Sequence, residues 1–151
     1  MDYRHRPRLP RGFRYLTVND DLSSFSSNSA VIDSYIRSSM RAWLVDYYDR
    51  YIAIVYGERD ILGLMVLQVH DEYMEIVVLA KDYRRARHRK VGSMLAVLAE
   101  SIARELGKRE IRLEAMQGSH RWWNETMRYE QYMPSYVDPV FGMLTPKRKF
   151  L

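Results

Sequence analysis

The chain has 151 residues, of which 47% are hydrophobic, and these values are typical of one globular domain. It contains no cysteine, which excludes disulfides, cysteine-ligated metal sites and a thiol nucleophile. No apolar run approaches the ~20 residues of a membrane-spanning helix, and the N-terminus lacks the apolar core of a secretory signal. We therefore expect a single cytoplasmic domain over residues 1–151.

The formal net charge is +5, and the positive charge is concentrated in three clusters. The first lies in a basic N-terminal arm (residues 1–11), the second spans residues 84–90, and the third is Lys147–Lys149. Such clusters indicate phosphate-rich partners, which include nucleic acid, an anionic cofactor and an acidic protein surface. We interpret the two terminal clusters as solvated tails and the middle one as functional, because of the elements that flank it.

Turn signals and apolar periodicity divide the chain into predicted strands and helices, with no internal repeat or linker. In chain order we predict a strand at 12–18, a helix at 30–48, strands at 51–56, 61–69 and 73–80, a helix at 91–107, a strand at 110–116, a helix at 120–132 and one or two final strands within 137–144. Short turns favour antiparallel neighbours, and the strand at 73–80 is apolar on both faces, which predicts a central position. The fold class is therefore α+β: a mixed, mostly antiparallel sheet with helices on both faces.

The basic loop at 84–90 lies between this central strand and a helix that begins Val91-Gly92-Ser93. The first turn of a helix has unpaired N–H groups and the positive end of the helix dipole. Gly92 lets a phosphate approach the backbone closely, so the pattern indicates a phosphate site. Neither GxxxxGK[ST] nor GxGxxG is present, which argues against the nucleotide loops that these patterns mark.

Residues 75–116 resemble the acetyl-CoA-binding core of the GNAT superfamily of N-acetyltransferases. That core has the loop pattern Gln/Arg-x-x-Gly-x-Gly/Ala, and Arg87-His88-Arg89-Lys90-Val91-Gly92 follows it except at Lys90, which replaces the first glycine. The resemblance implies three groups of acetyl-CoA contacts: Leu79, Ala80 and Lys81 at the pantetheine arm; Arg87, His88, Arg89, Lys90, Val91, Gly92 and Ser93 at the pyrophosphate; and Asn124 at the pantetheine or phosphate region.

Two catalytic residues are predicted on this resemblance. Glu75 resembles the glutamate base of the superfamily's histone acetyltransferases, and its apolar strand is expected to raise its pKa; the alternative is a structural carboxylate paired at the sheet edge. Tyr129 resembles the tyrosine that protonates the departing CoA thiolate, with Tyr132 and Tyr136 as competitors for the role. His70 is close enough in sequence to Glu75 to take part in proton transfer.

The remaining candidates point to no further chemistry. The histidines show no ligand spacing, so we predict no metal site. Trp122 and Trp123 are interpreted as hydrophobic anchors under the last helix, with an acceptor pocket as the alternative.

The predicted function is direct acetyl transfer from acetyl-CoA to an amine, without an acyl-enzyme. The acceptor is expected to be a protein lysine or N-terminal amine, and a small-molecule amine is the second enzymatic hypothesis. A non-catalytic CoA- or nucleic-acid-binding module is the alternative of a different class. The expected state is a monomer or homodimer that does not bind membranes.

Overall fold

The computed structural model describes residues 6–87 and 90–151. Within these ranges eight strands pair in one sheet and three α-helices accompany it. In chain order the elements are β1 (Phe13–Tyr15), α1 (Ala30–Arg41), β2 (Tyr51–Tyr56), β3 (Gly63–Val69), β4 (Met74–Lys81), α2 (Val91–Glu105), β5 (Glu110–Met116), α3 (His120–Glu125), β6 (Glu130–Gln131), β7 (Tyr136–Asp138) and β8 (Gly142–Phe150).

The strand order is β1-β2-β3-β4-β5-β8-β6, and β7 pairs with β8 beside this path. Every pair is antiparallel except β4 with β5, which are parallel and are joined by α2 as a crossover. The predicted α+β class, with a mixed and mostly antiparallel sheet, is therefore confirmed.

The two longer helices cover opposite faces of the sheet. On one face Ile36 of α1 and Trp43 pack against Val66 and other residues of β2 to β4. On the other face α2 buries residues such as Leu95 and Ile102 against β2 to β5. The central strands are thus covered on both sides, as their apolar sequence predicts.

The first predicted helix is shorter than expected. Its start at Ala30 is fixed by Ser29, whose hydroxyl accepts a hydrogen bond from the Ile32 amide. Regular α-helix ends at Arg41, and a π-helical turn over Ala42–Asp46 follows. This wider turn places the ring of Trp43 in the core.

The predicted helix at 120–132 is wrong beyond Glu125. Arg128 has a φ of 65°, a left-handed conformation that cannot continue a helix, and Glu130–Gln131 then form β6. The final strand is also longer than predicted, because β8 runs to Phe150 along the whole of β5.

The interpretation of the terminal clusters as solvated tails is wrong for the C-terminal cluster, whereas Arg8 and Arg11 of the N-terminal arm are exposed. Lys147 lies inside β8 with 1% of its surface exposed, and the Lys149 ammonium forms an ion pair with Glu100. At the other end, Pro7 is buried and its carbonyl accepts a hydrogen bond from the Tyr15 hydroxyl. None of the helices in residues 6–87 and 90–151 has both the length and the apolar character needed to cross a membrane.

Candidate active site

The site begins where two parallel strands separate. β4 and β5 pair only through Met74, Glu75 and Ile76 on the β4 side. Beyond Ile76 the two strands continue without pairing to each other, β4 to Lys81 and β5 to Met116. The edge of β4 that faces β5 is therefore open from residue 77 onward, and a cleft passes through the sheet.

A β-bulge in β4 adjusts which side chains enter this cleft. Val66 of β3 pairs with Val78, and Leu67 pairs with Ile76, so Val77 is the extra residue. The bulge reverses the in–out alternation along the strand. Val78 therefore packs into the core under α1, while Leu79 packs on the α2 side.

Two cavities meet at this cleft. The first, which we call the cleft cavity, is about 200 Å³ and lies between β4 and β5 with α1 on one side. The second, the groove, is about 470 Å³ and lies between the end of β4, the start of α2 and α3. Leu79, Ser119 and Trp123 line both cavities, so the two cavities adjoin, and together we call them the channel.

The groove lies at the first turn of α2, where Gly92 and Ser93 line it. The first amides of a helix have no intrahelical acceptor, and within residues 6–87 and 90–151 the side chain of the N-cap residue Lys90 does not cap them. A Cβ on Gly92 would stand 3.7 Å from Leu79 Cδ2 and 3.9 Å from the Trp122 ring. The absence of a side chain at Gly92 thus keeps the groove open beside these amides.

Positive charge and backbone geometry both suit an anion here. Lys81 and Lys90 are exposed and line the groove with Ser93. Lys90, which departs from the family loop pattern, has a φ of −82°. Because this φ is open to any residue, the lysine needs no backbone strain in place of glycine. The residues present are therefore suited to hold a diphosphate.

Glu75 lies at the other end of the channel. Its side chain lines the cleft cavity with 31% of its surface exposed, and Oε1 is 2.9 Å from Nε2 of His70. The carboxylate is thus both accessible from the cleft and held by a hydrogen bond. These are the geometric requirements of a general base.

The roof of the cleft cavity is aromatic. Tyr35 of α1 packs edge-on against Phe141, with ring centroids 5.2 Å apart, and also against Trp43. Burial, with smaller contributions from the charges of Tyr51 and Glu75, raises the pKa of Tyr35 above its usual value. Its hydroxyl therefore keeps its proton at neutral pH.

A second carboxylate, Glu114 of β5, lines the same cavity. Burial, followed by a hydrogen bond to Glu114, raises the pKa of Tyr136 to about 12. Asp138 and Glu75 act on Tyr136 in the same direction. The side of the cleft that holds Glu75 and Glu114 is accordingly acidic, although the chain as a whole is basic.

Tyr129 lies outside the channel. It is buried beneath Trp123, and its hydroxyl donates a hydrogen bond to Glu100 at 3.3 Å. Burial, and then the Glu100 charge, raise its pKa. Within residues 6–87 and 90–151 it contributes to neither cavity lining, and the same holds for Asn124, which is exposed on α3.

The structure brings together five of the residues predicted to bind the cofactor, and all five line the groove: Leu79, Lys81, Lys90, Gly92 and Ser93. Ala80 and Val91 are buried beside the groove, and Arg87 is exposed. His88 and Arg89 lie outside the described residues. Trp123 is a buried anchor and also lines both cavities.

Sequence reasoning missed several residues of the cleft cavity, among them Tyr35, Glu114 and Phe141. Tyr35 belongs to the apolar stripe of the first helix, so its pattern predicts core packing. A sequence signal for Glu114 was the alternation of Glu110, Arg112 and Glu114 along β5, because residues two positions apart share a face of the sheet. Arg112 is the register partner of Glu75, so Glu114 lies on the same face as Glu75. Among the described residues no cluster of three or more potential metal ligands is present.

No protein-family model matches the sequence, and no curated protein sequence matches it. Similar solved structures do exist. A GNAT family acetyltransferase from Elizabethkingia anophelis with acetyl-CoA bound superposes with a TM-score of 0.65 at 11% identity, covering 92% of this chain and 97% of that one. The PaiA N-acetyltransferase from Thermoplasma acidophilum in complex with coenzyme A superposes with a TM-score of 0.62 at 16% identity, covering 92% of this chain and 98% of that one.

A third solved structure is an acetyltransferase from Bacillus cereus, with a TM-score of 0.58 at 21% identity and coverage of 82% of this chain and 94% of that one. All three match nearly their whole length. The chain therefore has the fold of the GNAT acetyltransferases, as the loop pattern at residues 87–92 implies.

Proposed function

We propose that this protein transfers an acetyl group from acetyl-CoA to a primary amine. The observation that carries the proposal is the pair of adjoining cavities that extends from the first turn of α2 to the Glu75 carboxylate. One end suits a diphosphate and the other a protonated amine. The open strand edge between them suits the extended arm that connects a diphosphate to a thioester.

The proposed cofactor placement follows from the three parts of the channel. The amides of Val91, Gly92 and Ser93 bind the pyrophosphate, with Lys81 and Lys90 as nearby cations. The pantetheine arm lies along the unpaired edge of β4 at residues 77–81 and hydrogen-bonds to it as an added strand would. The thioester then lies in the cleft.

The proposed reaction is direct transfer. Glu75 takes a proton from the ammonium group, and the free amine attacks the thioester carbonyl, whose oxygen is polarised by an amide of the open β4 edge. The C–S bond then breaks and the attacking nitrogen loses its second proton, which leaves the acetamide and a CoA thiolate. This second proton replaces the one given to the thiolate, so that only the proton on Glu75 remains to be released. Tyr35 is the tyrosine that lines the cleft cavity, and we propose it as the donor to this thiolate.

For the acceptor we propose a protein lysine or N-terminal amine. Glu75 and Glu114 attract its ammonium group, and the β7–β8 hairpin beside the cavity carries an exposed apolar rim on which a peptide would pack. The rim is formed by Val137, Val140 and Met143, which are 71%, 63% and 43% exposed.

A small-molecule amine is the second candidate, and the Tyr35–Phe141 roof favours it. The cleft cavity of about 200 Å³ corresponds to roughly seven water volumes, taking about 30 Å³ per water. This space accepts a short amine as readily as the end of a lysine side chain.

The first test is calorimetric titration of acetyl-CoA into the wild type and a Gly92→Glu variant. The wild type is expected to bind, and the variant is expected not to, because its side chain and charge occupy the groove. Ser101→Glu is the matched control, since it adds the same group at an exposed position ~13 Å further along α2. No binding by the wild type would contradict the proposal.

The second test measures release of free CoA with three acceptors: a lysine peptide with a blocked N-terminus, a peptide with a free N-terminus and no lysine, and small primary amines. Turnover of either peptide supports the protein acceptor, and turnover of the small amines alone supports the second candidate. Binding of acetyl-CoA without any turnover would instead support a non-catalytic module.

A further inference from the structure

We propose that His70 relays the proton taken up by Glu75 to solvent in a second cavity at the β3–β4 turn. The inference rests on the proposed function, since it concerns the fate of the amine's proton. The observation that carries it is the position of the Glu75–His70 pair. Glu75 lines one cavity and His70 lines another, and the two cavities have no lining residue in common.

The imidazole of His70 is held in one orientation. His70 lies in the turn between β3 and β4, and its amide donates a hydrogen bond to the Tyr73 carbonyl. Its ring stacks on that of Tyr73, with centroids 4.3 Å apart and an angle of 16° between the planes. In this orientation Nε2 faces Oε1 of Glu75 at 2.9 Å.

The stack continues on the other side of Tyr73. The Arg112 guanidinium lies 4.0 Å from the centre of the Tyr73 ring and is hydrogen-bonded to Glu110. Arg112 is the register partner of Glu75 across the β4–β5 pair, yet its charge is satisfied by Glu110. In the described part of the chain, His70 is therefore the hydrogen-bonding partner of the Glu75 carboxylate.

The pair connects two solvent regions. Glu75 lines the cleft cavity, whereas His70 lines a polar cavity of about 610 Å³ at the β3–β4 turn, where β3 ends. An acceptor and a thioester together fill much of the cleft cavity, which removes the direct route from Glu75 to water. The route through His70 stays open during the reaction.

The polar cavity beside His70 has a lining of balanced charge. Glu75 faces the His70 ring from β4, and the cavity adds two acidic and two basic side chains from the segment before β2 and from the segments after β3 and α2. These four residues are Asp49, Arg50, Asp71 and Lys108. Such a lining keeps the cavity hydrated, so that water is present to accept a proton.

The relay balances one proton per turnover. Before turnover the Nε2–H of His70 donates to the Glu75 carboxylate. Once Glu75 has taken the ammonium proton, the neutral ring exchanges its proton with water and becomes the Nδ1–H tautomer, so that Nε2 accepts the proton of the carboxylic acid. The resulting imidazolium releases its Nδ1 proton to water in the polar cavity, which restores the carboxylate and the Nε2–H tautomer. His70 is thus a positioning and relay residue that acts through Glu75.

The test combines two substitutions with chemical rescue. His70→Ala is expected to lower kcat about 100-fold, at the lower end of the range of a lost acid–base step. Added imidazole is expected to restore kcat in proportion to its concentration, because the polar cavity beside residue 70 admits it. His70→Gln, which can hydrogen-bond to Glu75 but cannot relay a proton, is expected to show the same loss as His70→Ala.

Asp71→Asn is the control, since it changes the same cavity but not the Glu75 partner, and acetyl-CoA affinity should be equal in all variants. A purely structural role for His70 predicts that Gln restores activity and that imidazole does not; this result overturns the relay while leaving the acetyltransferase proposal intact. If the wild type acetylates no amine, both proposals fail together.

Discussion

Gly63 in β3 lies directly beneath Val91, the first residue of α2. A Cβ on Gly63 would come within 2.4 Å of Val91 Cγ1 and 3.0 Å of Leu95 Cδ1. The missing side chain thus sets how closely the start of α2 approaches the sheet. Because the proposed phosphate-binding amides belong to this turn, one glycine that lines neither channel cavity determines their position.

Gly63→Ala is therefore expected to destabilise the protein by about 1–3 kcal/mol, the usual cost of overpacking, and to weaken acetyl-CoA binding. Urea unfolding measures the first effect and calorimetry the second. Gly118→Ala is the control for stability, since a Cβ there meets nothing within 4 Å. Unchanged stability in Gly63→Ala would contradict the packing argument.

The bounds of an element could be predicted from the sequence where the residues within it and beside it mark its ends. β2 and β5 have the predicted bounds, because alternating apolar residues and flanking turn residues mark both ends. The start of α2 and its groove follow from the Val91-Gly92-Ser93 junction. Five of the residues that line this groove lie within residues 79–93, which is why the loop pattern and its flanking elements could identify them. The other lining residues, Gly118, Ser119, Trp122 and Trp123, come from a later segment.

The parts that were not predictable depend on pairing between distant segments. Glu130–Gln131 form a strand only because β8 lies beside them, and no local pattern shows that partner. Lys147–Lys149 have the composition of a tail, yet β8 pairing and the Glu100 carboxylate hold them. Tyr35 joins the cleft through its contact with Phe141, about one hundred positions away in the chain.

Glu75→Gln is expected to lower kcat/KM for acetyl transfer by 100-fold or more, because the amide cannot accept the ammonium proton. The affinity for acetyl-CoA should be unchanged, since Glu75 lies at the opposite end of the channel from the groove. Steady-state kinetics and calorimetry measure the two quantities. Glu72→Gln, at an exposed position in the adjacent turn, serves as the control. Undiminished kcat/KM across the pH range would exclude Glu75 as the base.

Tyr35→Phe is expected to lower the turnover rate, whereas Tyr129→Phe is expected to lower the stability of the fold. Loss of the Tyr35 hydroxyl removes a protonated group from the cleft cavity, and we expect kcat to fall about 10-fold or more with little change in stability. Loss of the Tyr129 hydroxyl removes a hydrogen bond from Glu100, which keeps its ion pair with Lys149. Here we expect about 1 kcal/mol of destabilisation with kcat preserved.

Kinetics and urea unfolding on the same two preparations separate these effects. The sequence-based prediction of Tyr129 as the general acid gives the opposite result, a large loss of kcat in Tyr129→Phe and near-normal turnover in Tyr35→Phe. Tyr136→Phe completes the comparison, since its hydroxyl also remains protonated at neutral pH.

Asp82 connects the serine-rich segment before α1 to the start of the basic loop. Its buried carboxylate accepts backbone hydrogen bonds from Ser26, Arg84 and Arg85 at 3.2, 3.1 and 2.9 Å. Burial opposes the charged form, but these bonds and the Arg85 charge outweigh it and hold the pKa of Asp82 below its usual value. The carboxylate is therefore charged in the folded protein at neutral pH.

Because the folded-state pKa of Asp82 is depressed, its contribution to stability is fully present above the unfolded pKa of about 3.9. It is lost as the pH falls from there through the folded pKa. Asp82→Ala should cost about 1–3 kcal/mol at pH 7 and should weaken acetyl-CoA binding, because Arg84 and Arg85 lose the anchor of their loop. As the pH falls below about 4 and through the folded pKa, the variant should lose less stability than the wild type. Urea unfolding at each pH, with Asp21→Ala as an exposed control, measures the difference; parallel curves for wild type and Asp82→Ala would show that this carboxylate does not couple protonation to folding.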